Sequence, residues 1–147
     1  MRTIRAPWAM LFVAWATAPS LGADDRGIAF FEAKIRPLLV SRCLACHGGE
    51  KASGGLTLDT RDGWQAGGDS GAAIMPGDPG ASLVVRAVKR ADGVSAMPPA
   101  EAGPPLTADE IAALETWIAA GAPDPRVALA RLGGMDRDTA QIGRAHV

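Results

Sequence analysis

Five consecutive residues constrain this chain more than any others: Cys43-Leu44-Ala45-Cys46-His47, a Cys-x-x-Cys-His run. On a helical turn, positions 43, 46 and 47 are i, i+3 and i+4 and share one face. Two thiols held on one face can add to the two vinyl edges of a single porphyrin while the adjacent imidazole reaches its iron. Leu44 and Ala45 are apolar or small and do not compete for the metal. The pattern points to one covalently attached haem c, linked through Cys43 and Cys46 and ligated by His47. Thiol–disulfide exchange is one alternative, but no strand-rich thioredoxin-like pattern surrounds the pair. Structural zinc is another, and it calls for four protein ligands where the chain offers two Cys and one credible His. His stands at only two of 147 positions, so its placement directly after the pair by chance is a poor explanation.

The residues before the motif read as a leader. Arg2 and Arg5 open the chain, a mostly apolar run from Ala6 to Ala18 follows, and Ser20, Gly22 and Ala23 stand before Asp24-Asp25. That order is expected of a secretory signal peptide over residues 1–23, cut near Gly22 or Ala23. A retained membrane anchor is the alternative, and the run is short of the ~20 residues a spanning helix needs. No Cys lies near the cut, which excludes a lipoprotein. Losing Arg2 and Arg5 leaves 13 of the 15 basic side chains against 16 acidic ones, a charge near −3. The expected location is periplasmic or otherwise exported, with no membrane span in the mature chain. The chain has no basic cluster, which argues against nucleic acid as a partner.

The domain is expected over residues 24–125. The 18 Gly and 11 Pro of the whole chain predict much loop, while its three Phe, four Trp and no Tyr make a thin core. A cofactor that binds only the native state would help hold such a chain folded. Apolar residues at 28, 31, 35 and 38/39 predict a helix, with a kink or a fresh turn at Pro37. A Gly-rich loop from Lys51 to Gly77 follows, holding a short helix near Thr60 to Gln65. A second helix is expected from Pro79 to about Lys89, with Asp78 as N-cap and Leu83, Val84, Ala87 and Val88 as its apolar face. The third opens on the capping box Thr107-Ala108-Asp109-Glu110. Ile111, Leu114 and Ile118 are its stripe, Trp117 sits beside it, and Gly121 and Pro123 end it. Residues 126–147 are expected to be linker or tail. The last six match what one reading frame of a sequencing adaptor would encode, so His146 carries no weight and the chain is read as a possible piece of a longer protein.

The iron's sixth position falls to a Met thioether in the usual electron-transfer arrangement. Met97 is the expected ligand, because it lies in a loop stiffened by Pro98-Pro99 and Pro104-Pro105 just before the third helix. Met75, in Met-Pro-Gly, is the rival, Met135 is the other methionine beyond the leader, and an open or exchangeable site is the remaining alternative. Either Met can instead fill core space. Arg61 or Arg86 is a candidate partner for a haem propionate. Asp59, Arg61, Asp62 and Asp69 form a charged set without a His, better read as turn-formers than as hydrolase chemistry.

The wider run of motifs resembles a family. Cys-x-x-Cys-His is followed by Gly54-Gly55-Leu56-Thr57-Leu58-Asp59-Thr60-Arg61, Gly67-Gly68-Asp69-Ser70-Gly71, Pro76-Gly77-Asp78-Pro79, Ser82 to Val88, Met97-Pro98-Pro99, and the stretch Leu106 to Pro123. Together they resemble the Planctomycete-type cytochrome c domain from about Ile28 to Pro125. One departure is Ala96, where that family often has Lys before Met-Pro-Pro. The resemblance implies an all-α, class I-like monohaem cytochrome c fold, with three main helices around one haem and a long Gly-rich loop insertion. It marks Cys43, Cys46 and His47, and Met97 as the second iron ligand. One covalent haem, a Met ligand and no substrate-cavity motif suit a carrier that exchanges electrons with redox partner proteins, or with a downstream domain of a longer chain, rather than an enzyme. Two further readings stay open: the N-terminal redox module of a larger exported oxidoreductase, and a haem sensor or peroxidase-like protein should the sixth site be open.

Overall fold

A computed structural model describes residues 22–126. The leader up to residue 21 and the tail from residue 127 lie outside the described residues. The chain begins with α1 (Ala23–Phe30), passes through a wide π turn over Phe31–Ile35, and continues as α2 (Arg36–Arg42). The π turn accounts for Pro37. A proline inside a helix lacks an N–H and crowds the carbonyl four residues back. Here Arg36 N–H bonds to Phe31 O, five residues back, and Pro37 falls in the first turn of α2. Phe31, Ile35, Leu38 and Leu39 all point inward and are buried.

A short α3 (Leu44–His47) carries the Cys-x-x-Cys-His run, and α4 (Arg61–Ala66) sits in the Gly-rich loop. Thr60 caps α4, its Oγ1 accepting Gly63 N–H at 3.0 Å. The second long helix expected from Pro79 is shorter than its apolar pattern: α5 runs Leu83–Val88. Asp78 accepts Ala81 N–H at 2.9 Å and so closes a tight turn instead of opening a helix. Ser82, with no exposed surface, explains why. Its hydroxyl accepts Met75 N–H at 2.9 Å and donates to Asp78 O at 2.8 Å, tying down the turn. Ser82→Ala would strand the Met75 amide and is expected to cost about 1–3 kcal/mol. A melting temperature lowered by several degrees would show it, and an unchanged one would refute this role.

The last helix, α6 (Ala108–Ala119), keeps the expected capping box, with Thr107 and Glu110 each satisfying the other's backbone N–H. Gly121 takes a left-handed φ of 91°, and the chain turns back. The stripe is rotated relative to expectation. Leu114, Trp117 and Ile118 are buried, whereas Ile111 is only partly so. Trp117 is the hub, 5.7 Å from the Phe31 ring and 6.2 Å from that of Trp64. The chain past α6 is packed as far as Arg126, whose guanidinium pairs with buried Asp124 at 2.6 Å and donates to Leu58 O at 2.8 Å. The described residues are thus helical and loop, with no strand beyond an isolated Gly68–Gly71 bridge. None of their helices is long and apolar enough to cross a membrane.

Candidate haem site

The attachment turn grows directly out of α2. Cys43 N–H donates to Leu39 O and His47 N–H to Cys43 O, both at 2.9 Å, so helical bonding runs through the motif with a break at Cys43. Gly48 ends it, since a Cβ there would lie 2.6 Å from Leu44 O. Cys43 is half-buried and Cys46 exposed, and no disulfide joins them. Burial pushes the Cys43 thiol up to about 11, with Arg42 pulling it down and Glu110 adding to the rise. Exchange-active cysteines are held as thiolates by depressed values, and Cys43 is shifted the other way.

His47 is oriented from outside the motif. Its Nδ1 lies 3.3 Å from Leu56 O, and its carbonyl accepts Leu58 N–H at 2.7 Å. A ring nitrogen facing a carbonyl can only donate to it, so the proton sits on Nδ1 and the Nε2 lone pair is left for a metal. The Leu56–Leu58 segment is in turn held by Arg126 through Leu58 O. Leu56 and Leu58 stand in the motif run of the sequence, but no spacing there signals that the backbone between them embraces His47.

These residues open on a cavity of about 620 Å³. Cys43, Cys46 and His47 line one side. Leu56, Leu58, Val84, Val88 and Leu106 supply apolar wall, and Met97 reaches it from the Pro-braced loop. The volume lies within the range of small-molecule and cofactor sites, mostly apolar with few polar groups. Met97 N–H is tied to Ala87 O of α5 at 3.0 Å, and its side chain packs against the core. Met75 is 42% exposed and outside the cavity, and Met135 lies outside the described residues. Arg86 lines the cavity, whereas Arg61 does not; Arg61 N–H instead bonds to Arg126 O at 3.0 Å. Asp59 accepts Gly49 N–H at 2.9 Å, in keeping with its reading as a turn-former.

A chain-built turn offering two thiols and a preset imidazole to an apolar cavity of this size fits a c-type haem. The cavity has room for a ligand of cofactor size, and the thiols and imidazole on it are the groups that bond to a haem's vinyl carbons and iron. The family model of Planctomycete cytochrome C matches residues 43–101, from the first cysteine of the motif to just past Met97-Pro98-Pro99. The resemblance drawn from the sequence motifs is thereby shown over that stretch, and a cytochrome c family implies covalently bound haem and haem-based electron transfer. No curated protein and no solved structure matches the chain.

Proposed function

We propose that the chain is an exported, class I-like monohaem cytochrome c domain that carries electrons. The observation that carries this reading is the convergence of Cys43, Cys46, His47 and Met97 on one apolar cavity, with His47 Nδ1 already committed to Leu56 O. When bound, haem supplies one-electron iron chemistry. Cys43 and Cys46 would tether it by thioether bonds, and His47 Nε2 and the Met97 thioether would ligate its iron. The Leu56 carbonyl keeps the imidazole in one tautomer and raises its basicity as a ligand. The apolar part of the wall restricts solvent access and so limits the solvent rearrangement that accompanies each change in iron charge. A Met ligand occupying the sixth position suits a carrier better than a sensor or peroxidase, which needs that position open.

The deciding experiment is extraction of protein made with haem-attachment machinery. Haem is expected to stay with the polypeptide in acidified acetone and to be released from Cys43→Ala/Cys46→Ala protein. Haem that washes out of the unaltered chain would refute the covalent site.

A further inference from the structure

At the haem cavity, the Arg42 side chain ties the attachment turn to the loop that follows Met97. Arg42 is the last residue of α2, directly before Cys43, and it lines the cavity. Its Nη2 donates to Pro104 O at 2.7 Å and Pro105 O at 2.9 Å, across more than sixty residues of sequence. These carbonyls end the loop that starts at Met97. Its Nε is shielded from solvent without a hydrogen-bond partner, 3.5 Å from Glu110 Oε1. The carboxylate offsets that charge at ion-pair range. Glu110 is itself fixed, because its Oε2 accepts Thr107 N–H at 2.7 Å at the start of α6. Two further bonds of the loop, Met97 N–H to Ala87 O and Arg90 to Pro98 O, run to α5 and to a residue two past its end rather than to the attachment turn.

We propose that Arg42 is a positioning residue for Met97. By clamping the Pro104-Pro105 end of the loop to the turn bearing Cys43, it fixes the span across which the Met97 thioether must reach, and so sets how readily Met97 yields the iron to an outside ligand. The inference rests on the haem reading above with Met97 as ligand. A thioether binds iron weakly, so small changes in loop position shift the population in which it is detached. An outside ligand binds only that population, and its apparent affinity rises in proportion to it.

The test is an imidazole titration of the oxidised, haem-loaded full chain, followed by absorption. Loss of the Arg42 hydrogen bonds in Arg42→Ala is expected to tighten imidazole binding about tenfold. Arg42→Lys, which keeps the charge without the planar fork, should fall between that and the unaltered protein. Glu110→Gln, which retains a cap acceptor, should tighten it less. In a Met97→Ala background Arg42→Ala should change nothing further, whereas a general structural role would move both backgrounds alike. Unchanged affinity in Arg42→Ala, or equal shifts with and without Met97, would overturn the proposal. Should Arg42→Ala fail to fold, unchanged affinity in both Arg42→Lys and Glu110→Gln would overturn it. Unaltered protein that binds imidazole as tightly as Met97→Ala would instead refute Met97 as ligand, and the proposal would fall with it. Haem that extracts from the unaltered chain would refute the covalent site separately.

Discussion

Replacing Arg126 with Ala is expected to lower the unfolding free energy by about 3–5 kcal/mol, the range for removing one partner of a buried ion pair. The Arg126 side chain is only 8% exposed and the Asp124 side chain wholly buried. Removing the guanidinium leaves Asp124 with Trp64 Nε1–H at 3.0 Å and the Arg126 backbone N–H at 2.9 Å. It also strips Leu58 O of its donor and the Phe31 ring of a cation 4.9 Å from its centroid. The same pair gives stability a pH dependence. Burial alone would raise the Asp124 carboxyl, but hydrogen bonds from Arg126 and Trp64 outweigh it and hold the group below its ordinary value. A carboxylate depressed in the folded state contributes fully above its unfolded value, near 3.9, and loses that contribution as pH falls through the folded one. Denaturant midpoints measured from about pH 6 downward should therefore fall below about pH 4. Asp124→Asn should be less stable at neutral pH and flatter over that acid range. A pH profile for Asp124→Asn parallel to that of the unaltered protein would refute the assignment.

Met97→Ala is the other large effect. The oxidised protein should lose its weak far-red absorption band, and the reduction potential should fall by on the order of 0.1 V. Axial-ligand choice spans roughly 0.8 V, and a Met ligand favours the reduced iron. Met75→Ala is the matched control. Its side chain is 42% exposed and outside the cavity, so band and potential should stay where they are. A band that survives Met97→Ala and vanishes in Met75→Ala would reverse the assignment.

What the sequence made legible is local. The attachment turn, the Thr60-capped helix and the capping box of α6 are each written within a handful of adjacent residues, and they lie where the sequence placed them. The start of α5 was misread because Asp78-Pro79 is a good helix opening in isolation. The buried hydroxyl of Ser82 draws the same backbone into a turn, and burial is a tertiary property. Trp117 was set beside its stripe because a helical wheel does not know that Phe31 and Trp64 will flank one face. The bonds that orient the site join residues 47 to 56, 42 to 104 and 58 to 126. No spacing rule connects such pairs. Arg126 falls in the expected tail, and only the turn of the chain at Gly121 brings its guanidinium to Leu58 O.

The aromatic trio has an optical consequence. Within the described residues the tryptophans are Trp64 and Trp117, and both are almost fully buried in one cluster against Phe31. Neither indole faces water, so emission from the folded domain should be blue-shifted, and the haem should absorb much of it. Unfolding would move both indoles into solvent and away from that quencher. A single intensity reading then reports core and cofactor together, with the chain acting as its own fluorescent probe and no label attached.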